Sequence, residues 1–143
     1  MKREAYERYL ELFNAKDYDG VLSHFAPEFE LVFAGYVFRT AEEVRRLYNF
    51  LHAHVEERIT LKAFLSNEDM IALEVDVRLA GLKPASVQDA DDAGVAGLPL
   101  PAPGQVIVIP QFIHYHLKNG KFVKALCAVF QPPATDAGPN GVI

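Results

Sequence analysis

One dipeptide constrains this chain more than any other: Asn119-Gly120, set between two apolar runs in residues 105–131. An Asn-Gly pair between strand-like runs specifies a tight hairpin, because both central residues of a type I′ turn need positive φ. A turn at Lys118-Asn119-Gly120-Lys121 also sets a register. One face then carries Leu117 opposite Phe122, Tyr115 opposite Lys124, Ile113 opposite Leu126, Gln111 opposite Ala128 and Ile109 opposite Phe130. The other pairs His116 with Val123, His114 with Ala125, Phe112 with Cys127 and Pro110 with Val129. Both faces are substantially apolar, so both need a cover. Helices are expected over the first, and a second subunit or another sheet region over the second. Pro110 cannot donate to a ladder, so a bulge or bend is expected there.

The rest of the chain supplies the covering elements. Residues 3–14 have helical spacing, with Tyr6, Tyr9, Leu10 and Phe13 on one stripe. Asp17 can cap a short second helix carrying Val21, Leu22 and Phe25 and ending before Pro27. Residues 29–33 alternate as a strand with Phe29, Leu31 and Phe33 on one face, ended by Ala34-Gly35. Thr40-Ala41-Glu42-Glu43 is a capping box opening a third helix, whose stripe is Val44, Leu47, Tyr48, Leu51 and Val55. Residues 58–65 and 70–80 read as paired strands. In the second, Ile71, Leu73, Val75, Val77 and Leu79 face one way and Glu74, Asp76 and Arg78 the other.

Residues 82–104 differ in kind: Pro84, Pro99, Pro101 and Pro103 stand among Gly, Ala and the acids Asp89, Asp91 and Asp92. They read as an inserted, mobile surface loop, with a lid as the alternative. Residues 132–143 read as a flexible tail, although Val142-Ile143 could dock. A chain of 143 residues makes one domain with a real core. The net charge of −5 argues against nucleic acid, whose binders carry basic patches. No apolar run approaches a membrane span, and residues 1–4 lead into an amphipathic helix, not a signal peptide. A lone Cys127 precludes an internal disulfide and suits the cytoplasm; in mid-strand it reads as a small core residue.

Three helices on a strongly curved, mainly antiparallel sheet make an α+β cone with a pocket between the helices and the concave face. Glu7-Arg8-Tyr9-Leu10, Asn14-Ala15-Lys16-Asp17-Tyr18-Asp19-Gly20 and Phe25-Ala26 go further. With residues 97–106, the hairpin 112–121 and Ala128-Val129-Phe130, they resemble ketosteroid isomerases and SnoaL-like polyketide cyclases of the nuclear-transport-factor-2-like superfamily. The likeness spans residues 4–132 apart from the long loop. Within that family, ketosteroid isomerase uses an Asp base with an oxyanion hole made of a Tyr and a protonated Asp, and the cyclases keep a catalytic Asp at the latter position. The resemblance puts the oxyanion Tyr on Tyr9 and its hydrogen-bonding Tyr on Tyr48. The base Asp falls on Phe33 and the oxyanion Asp on Ile113. Hydrocarbon moves no proton, so the family's isomerisation is not expected here.

Other candidates are weighed against ordinary structural roles. A buried phenol is costly unless hydrogen-bonded, so Tyr9 and Tyr48 read as either ligand donors or satisfied core aromatics. Glu74 and Asp76 could form an acid–base pair but lie opposite the apolar row, as a solvated charge ladder would. His114 and His116 share a strand face and could start a metal corner, yet no further ligand spacing supports one. His52 and His54 lie roughly 200° apart on a helix and flank the buried stripe. His24 stays unassigned. Gln111 and Tyr115 share the face of Ile113.

The function expected is binding of a small, largely apolar, oxygenated ligand in a conical pocket. Its lining would be Tyr9, Phe33, Tyr48, Leu73, Val75, Val77, Gln111, Ile113, Tyr115 and Phe130. One alternative is an isomerase, cyclase or dehydratase type of enzyme using Tyr9 as electrophile, with no base identified. Another is a dimerisation module. A homodimer is expected through the outer sheet row Phe112, Val123, Cys127 and Val129. Nothing in the sequence calls for a metal or another cofactor.

Overall fold

The computed structural model describes residues 1–135. Helices α1 (Arg3–Asn14) and α2 (Tyr18–Leu22) open the chain. The first buries Tyr6, Tyr9, Leu10 and Phe13, the stripe its spacing requires. The second is capped by Asp17, whose carboxylate accepts the Gly20 N–H at 3.0 Å. Phe25, expected on that helix, instead begins β1 (Phe25–Phe33). Pro27 thus lies inside a strand, and the pairing of β1 with its parallel neighbour is interrupted between Phe25 and Glu30. Ala34 and Gly35 do more than end the strand. Both take positive φ and turn the chain into a hairpin with β2 (Tyr36–Phe38).

Helix α3 (Ala41–His54) starts where the capping box puts it, with Thr40 Oγ1 accepting the Glu43 N–H at 3.1 Å. It buries Val44, Leu47, Tyr48, Phe50, Leu51 and His54, and runs directly into β3 (Val55–Ser66). The remaining strands are β4 (Met70–Gly81), β5 (Val106–Lys118), β6 (Lys121–Val129) and β7 (Ala134–Thr135). Sheet order is β2-β1-β6-β5-β4-β3, with β7 on β5; among the described residues only β1 and β6 run parallel. The fold is α+β, its sheet curved and unclosed. Helices α1–α3 lie within the first 54 residues, but the β1–β2 hairpin separates α2 from α3, and a fourth helix follows β4.

The turn at 118–121 forms as expected, with φ of 51° at Asn119 and 73° at Gly120. The register beyond its first pairs does not. Leu117 pairs with Phe122, but a bulge follows: His116 pairs with Lys124, Tyr115 with Ala125 and Ile113 with Cys127. Val123 is the extra residue. Because side chains alternate with a period of two, one inserted residue reverses every facing assignment after it. Ala125 and Cys127 therefore turn inward and Phe130 outward, opposite to the expected pattern. Pro110 makes no bulge. It pairs with Asp76 on one side, and on the other falls between the β6 rung at Gln111 and the β7 rung at Val108, where a missing donor is tolerated.

Along β4 the expected alternation holds, with Ile71, Leu73, Val75, Val77 and Leu79 buried. Asp76 on the opposite face meets Lys62 at 3.5 Å. Residues 82–104, expected to be a structureless surface loop, are built around α4 (Val87–Asp92), where Ser86 Oγ accepts the Asp89 N–H. Ala90, Ala93 and Val95 enter the core, and the Tyr36 hydroxyl donates to the Ala96 carbonyl at 2.6 Å. The base of the segment is closed by backbone bonds from Gly81 N–H to Gln105 O and from Gly104 N–H to Gly81 O. Of the tail, residues 134–135 pair with β5; Val142 and Ile143 lie outside the described residues.

Gly81 is needed for that closure, because a Cβ there would lie 2.0 Å from the Ala102 carbonyl oxygen and 2.6 Å from that of Pro101. Both obstacles are backbone. Gly81→Ala is expected to lower stability by about 1–3 kcal/mol in urea denaturation, the usual cost of overpacking. An unchanged midpoint would mean that residues 101–102 are not held against β4.

Candidate functional site

Between α1, α3 and the inner sheet face lies a cavity of about 100 Å³. Tyr6, Tyr9, Leu10 and Phe13 come from α1, Leu47, Tyr48 and Leu51 from α3, and Glu57, Ile59, Val77, Gln111, Ile113, Tyr115 and Cys127 from the sheet, with Leu31 and Phe33 from β1. A second cavity of about 130 Å³ adjoins it and shares Phe33, Leu51, Glu57, Val77, Gln111 and Cys127. Its outer wall is Leu98, Pro99 and Leu100, from the segment the sequence reads as a surface loop. The two form an inner and an outer lobe that adjoin at the six shared residues, Glu57 among them.

Four phenols crowd the inner lobe. Tyr115 hydrogen-bonds to both Tyr6 and Tyr9, and its ring stands 5.9 Å from the first and 6.1 Å from the second. Burial pushes all of Tyr6, Tyr9, Tyr48 and Tyr115 above the ordinary phenol range, with smaller contributions from their neighbours. The hydroxyl that meets Tyr9 is therefore that of Tyr115, where the resemblance implied Tyr48.

The sequence reading left the pocket without a carboxylate. The structure puts one there. Glu57, on β3, lines both lobes, and its Oε1 lies 3.0 Å from His52 Nε2. The side chains are 12% and 4% exposed, so the pair is largely withdrawn from water. On the other side of the ring, His52 Nδ1 lies 2.5 Å from the Tyr18 hydroxyl. An ionised carboxylate only accepts, so Nε2 is the donor toward Glu57. The Tyr18 hydroxyl also reaches the Tyr48 carbonyl, as donor, at 3.4 Å. The ring lies nearly parallel to those of Tyr48 and Tyr18, at 16° and 19°. Burial, then the charge of Glu57, raises the phenol of Tyr18 above its ordinary range.

Glu57 had a sequence signal. It alternates with Ile59, which also lines the inner lobe, but a strand started at Arg58 leaves it out. His52, read as flanking the buried stripe, is its partner through the helix-to-strand junction at 54–55. His54 is separate, its Nδ1 at 2.7 Å from the Phe50 carbonyl.

The other expected residues fall as follows. Tyr9, Phe33, Tyr48, Val77, Gln111, Ile113 and Tyr115 line the inner lobe. Leu73 and Val75 are buried on the same sheet face but line neither lobe. Phe130 is 40% exposed and stacks on Phe112 at 4.1 Å, outside both lobes, because the bulge turned it outward. Cys127, expected in the outer row, lines both lobes; burial and then the charge of Glu57 push its thiol up to about 12. His114 pairs with Ala72 and Leu126, and the described residues contain no group of three metal-ligating side chains.

Comparison with known proteins gives one family match: a SnoaL-like domain, over residues 6–125. Among curated proteins none matches significantly. Similar solved structures include a proposed polyketide cyclase from a Silicibacter species (19% identity, 88% of this chain and 86% of that one, TM-score 0.71). A nuclear-transport-factor-2-like protein from Burkholderia pseudomallei, itself of unknown function, follows closely (16% identity, 88% of each chain, TM-score 0.67). TerC co-crystallised with polyporic acid is similar over 88% of each chain at 13% identity, with a TM-score of 0.64.

The buried acids give this site a pH signature. Below the unfolded values, 9.0 for the thiol and 10.0 for phenols, both states hold these protons and stability is independent of them. Above, the unfolded chain releases protons that the folded chain keeps, so stability falls as pH rises. In an alkaline titration, the tyrosinate absorbance of Tyr6, Tyr9, Tyr48 and Tyr115 is expected only together with loss of the circular dichroism signal. Ionisation of these four in a folded chain near pH 10 would contradict their burial.

Proposed function

Since this chain belongs to the SnoaL-like family of the nuclear-transport-factor-2-like superfamily, we propose that it binds a small, largely apolar, oxygenated ligand between its helices and its sheet. The observation that carries the reading is a two-lobed apolar cavity whose polar groups are few and convergent: phenols in the inner lobe, Glu57 and Gln111 at the junction. An apolar cavity of about 150 Å³ takes up benzene. Each lobe therefore has room on the order of one small ring, and a flat two-ring molecule spans both. A ligand carbonyl would accept from a phenolic O–H among Tyr6, Tyr9 and Tyr115, which line the inner lobe together. Tyr9 and Tyr48 are the contacts assigned to that end, with Phe33, Val77, Gln111, Ile113 and Tyr115 around the ring.

An enzyme of isomerase, cyclase or dehydratase type is the second reading, with Tyr9 as electrophile; the carboxylate in the cavity favours it. A homodimer through the outer sheet face also belongs to this reading. Its apolar row is now Phe112 stacked on Phe130, because Cys127 has turned inward. A cytoplasmic setting, argued from the lone cysteine, completes it.

Tyr9→Phe separates the possibilities, with 2-tetralone, a flat two-ring ketone, as the probe in calorimetry. A binder should lose affinity by about 2- to 12-fold, the worth of one hydrogen bond of roughly 0.5–1.5 kcal/mol. Turnover lost with binding kept would favour the enzyme, and no change in either the dimerisation module. In sedimentation at micromolar concentration the chain is expected to run as a dimer; a monomeric mass counts against the outer-face interface.

A further inference from the structure

We propose that Glu57 is a general base for carbon acids, held in position by His52 and Tyr18, and that its substrates are neutral two-ring ketones. This rests on the reading of the cavity given above and deepens it. Three observations carry it. Glu57 is among the six residues that line both lobes, so it stands where the lobes adjoin and where the middle of a two-ring ligand would lie. Oε1 takes the His52 Nε2–H at 3.0 Å, leaving Oε2 for a ligand. The Tyr18 hydroxyl in turn meets Nδ1 at 2.5 Å, which fixes the orientation of the ring that donates to Glu57. A base oriented by a second group, itself oriented by a third, is the arrangement general-base catalysis needs.

A purely structural role for the pair accounts for less. A largely buried hydrogen-bonded pair adds little net stability over apolar side chains of the same shape, so clamping α3 to β3 does not require it. Nor would a clamp need its carboxylate in the wall of both lobes. Phe33 and Ile113, the hydrocarbon lining the inner lobe, leave Glu57 as the cavity's carboxylate among the described residues.

The step balances without a co-reactant. Oε2 of Glu57 takes the C1 proton of the ketone: the C–H bond breaks, an O–H bond forms, and the electron pair enters the C1–C2 bond. The carbonyl oxygen takes up the negative charge and meets a phenolic O–H. After the carboxyl proton exchanges with solvent, reversal returns the ketone carrying the solvent's isotope. A neutral ligand is required, since a carboxylate-bearing one would set a second negative charge against Glu57 in an apolar cavity.

The test is deuterium wash-in to C1 of 2-tetralone in D2O, followed by proton NMR, with calorimetric binding of the same ketone measured alongside. The wild-type chain should accelerate exchange at least about a hundredfold over buffer, the low end for general-base catalysis. Glu57→Gln should return it to the buffer rate with the ketone still bound. His52→Leu should lower the rate roughly tenfold, His52→Gln, which keeps an N–H donor, should recover most of it, and Tyr18→Phe should lower it a few-fold. If Gln and Leu at position 52 behave alike, the positioning role of His52 falls. If the ketone binds and wild-type exchange equals buffer, or Glu57→Gln changes nothing, the base assignment falls and the cavity reading stands. If the ketone does not bind, both fall.

Discussion

The inner surface of this protein depends on one inserted residue in one strand. Val123 breaks the pairing of β6 with β5, and beyond it each side chain of β6 takes the face its sequence parity would deny it. Ala125 and Cys127 thereby face the helices. Cys127 becomes part of the wall shared by both lobes, and Phe130 leaves for the outer face to stack on Phe112. A bulge also bends the strand that carries it. Curvature and cavity lining in this region thus have a common origin.

What lines the cavity is constrained by the cost of burying polar groups. Four phenols and a carboxylate are tolerable under helices only if each finds partners, and no buried side-chain polar atom among the described residues lacks one. Tyr115 stands against Tyr6 and Tyr9, and the carboxylate takes the imidazole N–H of His52. The two groups differ in what they offer. A phenol can donate; an ionised carboxylate only accepts. A cavity that offers both, a short distance apart in an apolar wall, selects molecules with a hydrogen-bond acceptor at one place and an acidic hydrogen or donor at another.

Much of this fold was legible because its strongest local signals were the kind that tertiary context does not override. The Asn119-Gly120 turn, the Thr40 cap, the helical stripe of α1 and the alternation of β4 all appear where residue chemistry requires them. The losses have physical causes. A bulge has no sequence mark when the inserted residue is an ordinary valine. Residues 82–104 look structureless because proline and glycine dominate their composition, yet Ala90, Ala93 and Val95 suffice to seat a six-residue helix against the core. Seven of the expected lining residues were found by alternation and by family resemblance together. Glu57 was missed because the boundary between α3 and β3 was drawn one turn too loosely, and a residue at a strand's start has no face until the strand is counted in.

Glu57 also shows why a family's lost catalytic positions do not settle whether proton chemistry is lost. The hydrocarbon at Phe33 and Ile113 removes carboxylates from β1 and β5, but an acid–base group needs only reach and orientation, not a particular strand. Burial of a carboxylate in an apolar wall is expensive wherever it occurs, and this chain sustains that cost on β3 together with a histidine and a tyrosine that serve it. The outer lobe follows the same logic. Leu98, Pro99 and Leu100 line the outer lobe together with Glu57, and Gly81 lets residues 101–102 of the same segment approach β4 closely. Largely withdrawn from water, the Glu57 side chain sits in a low-dielectric setting in which a single hydrogen bond from His52 carries weight.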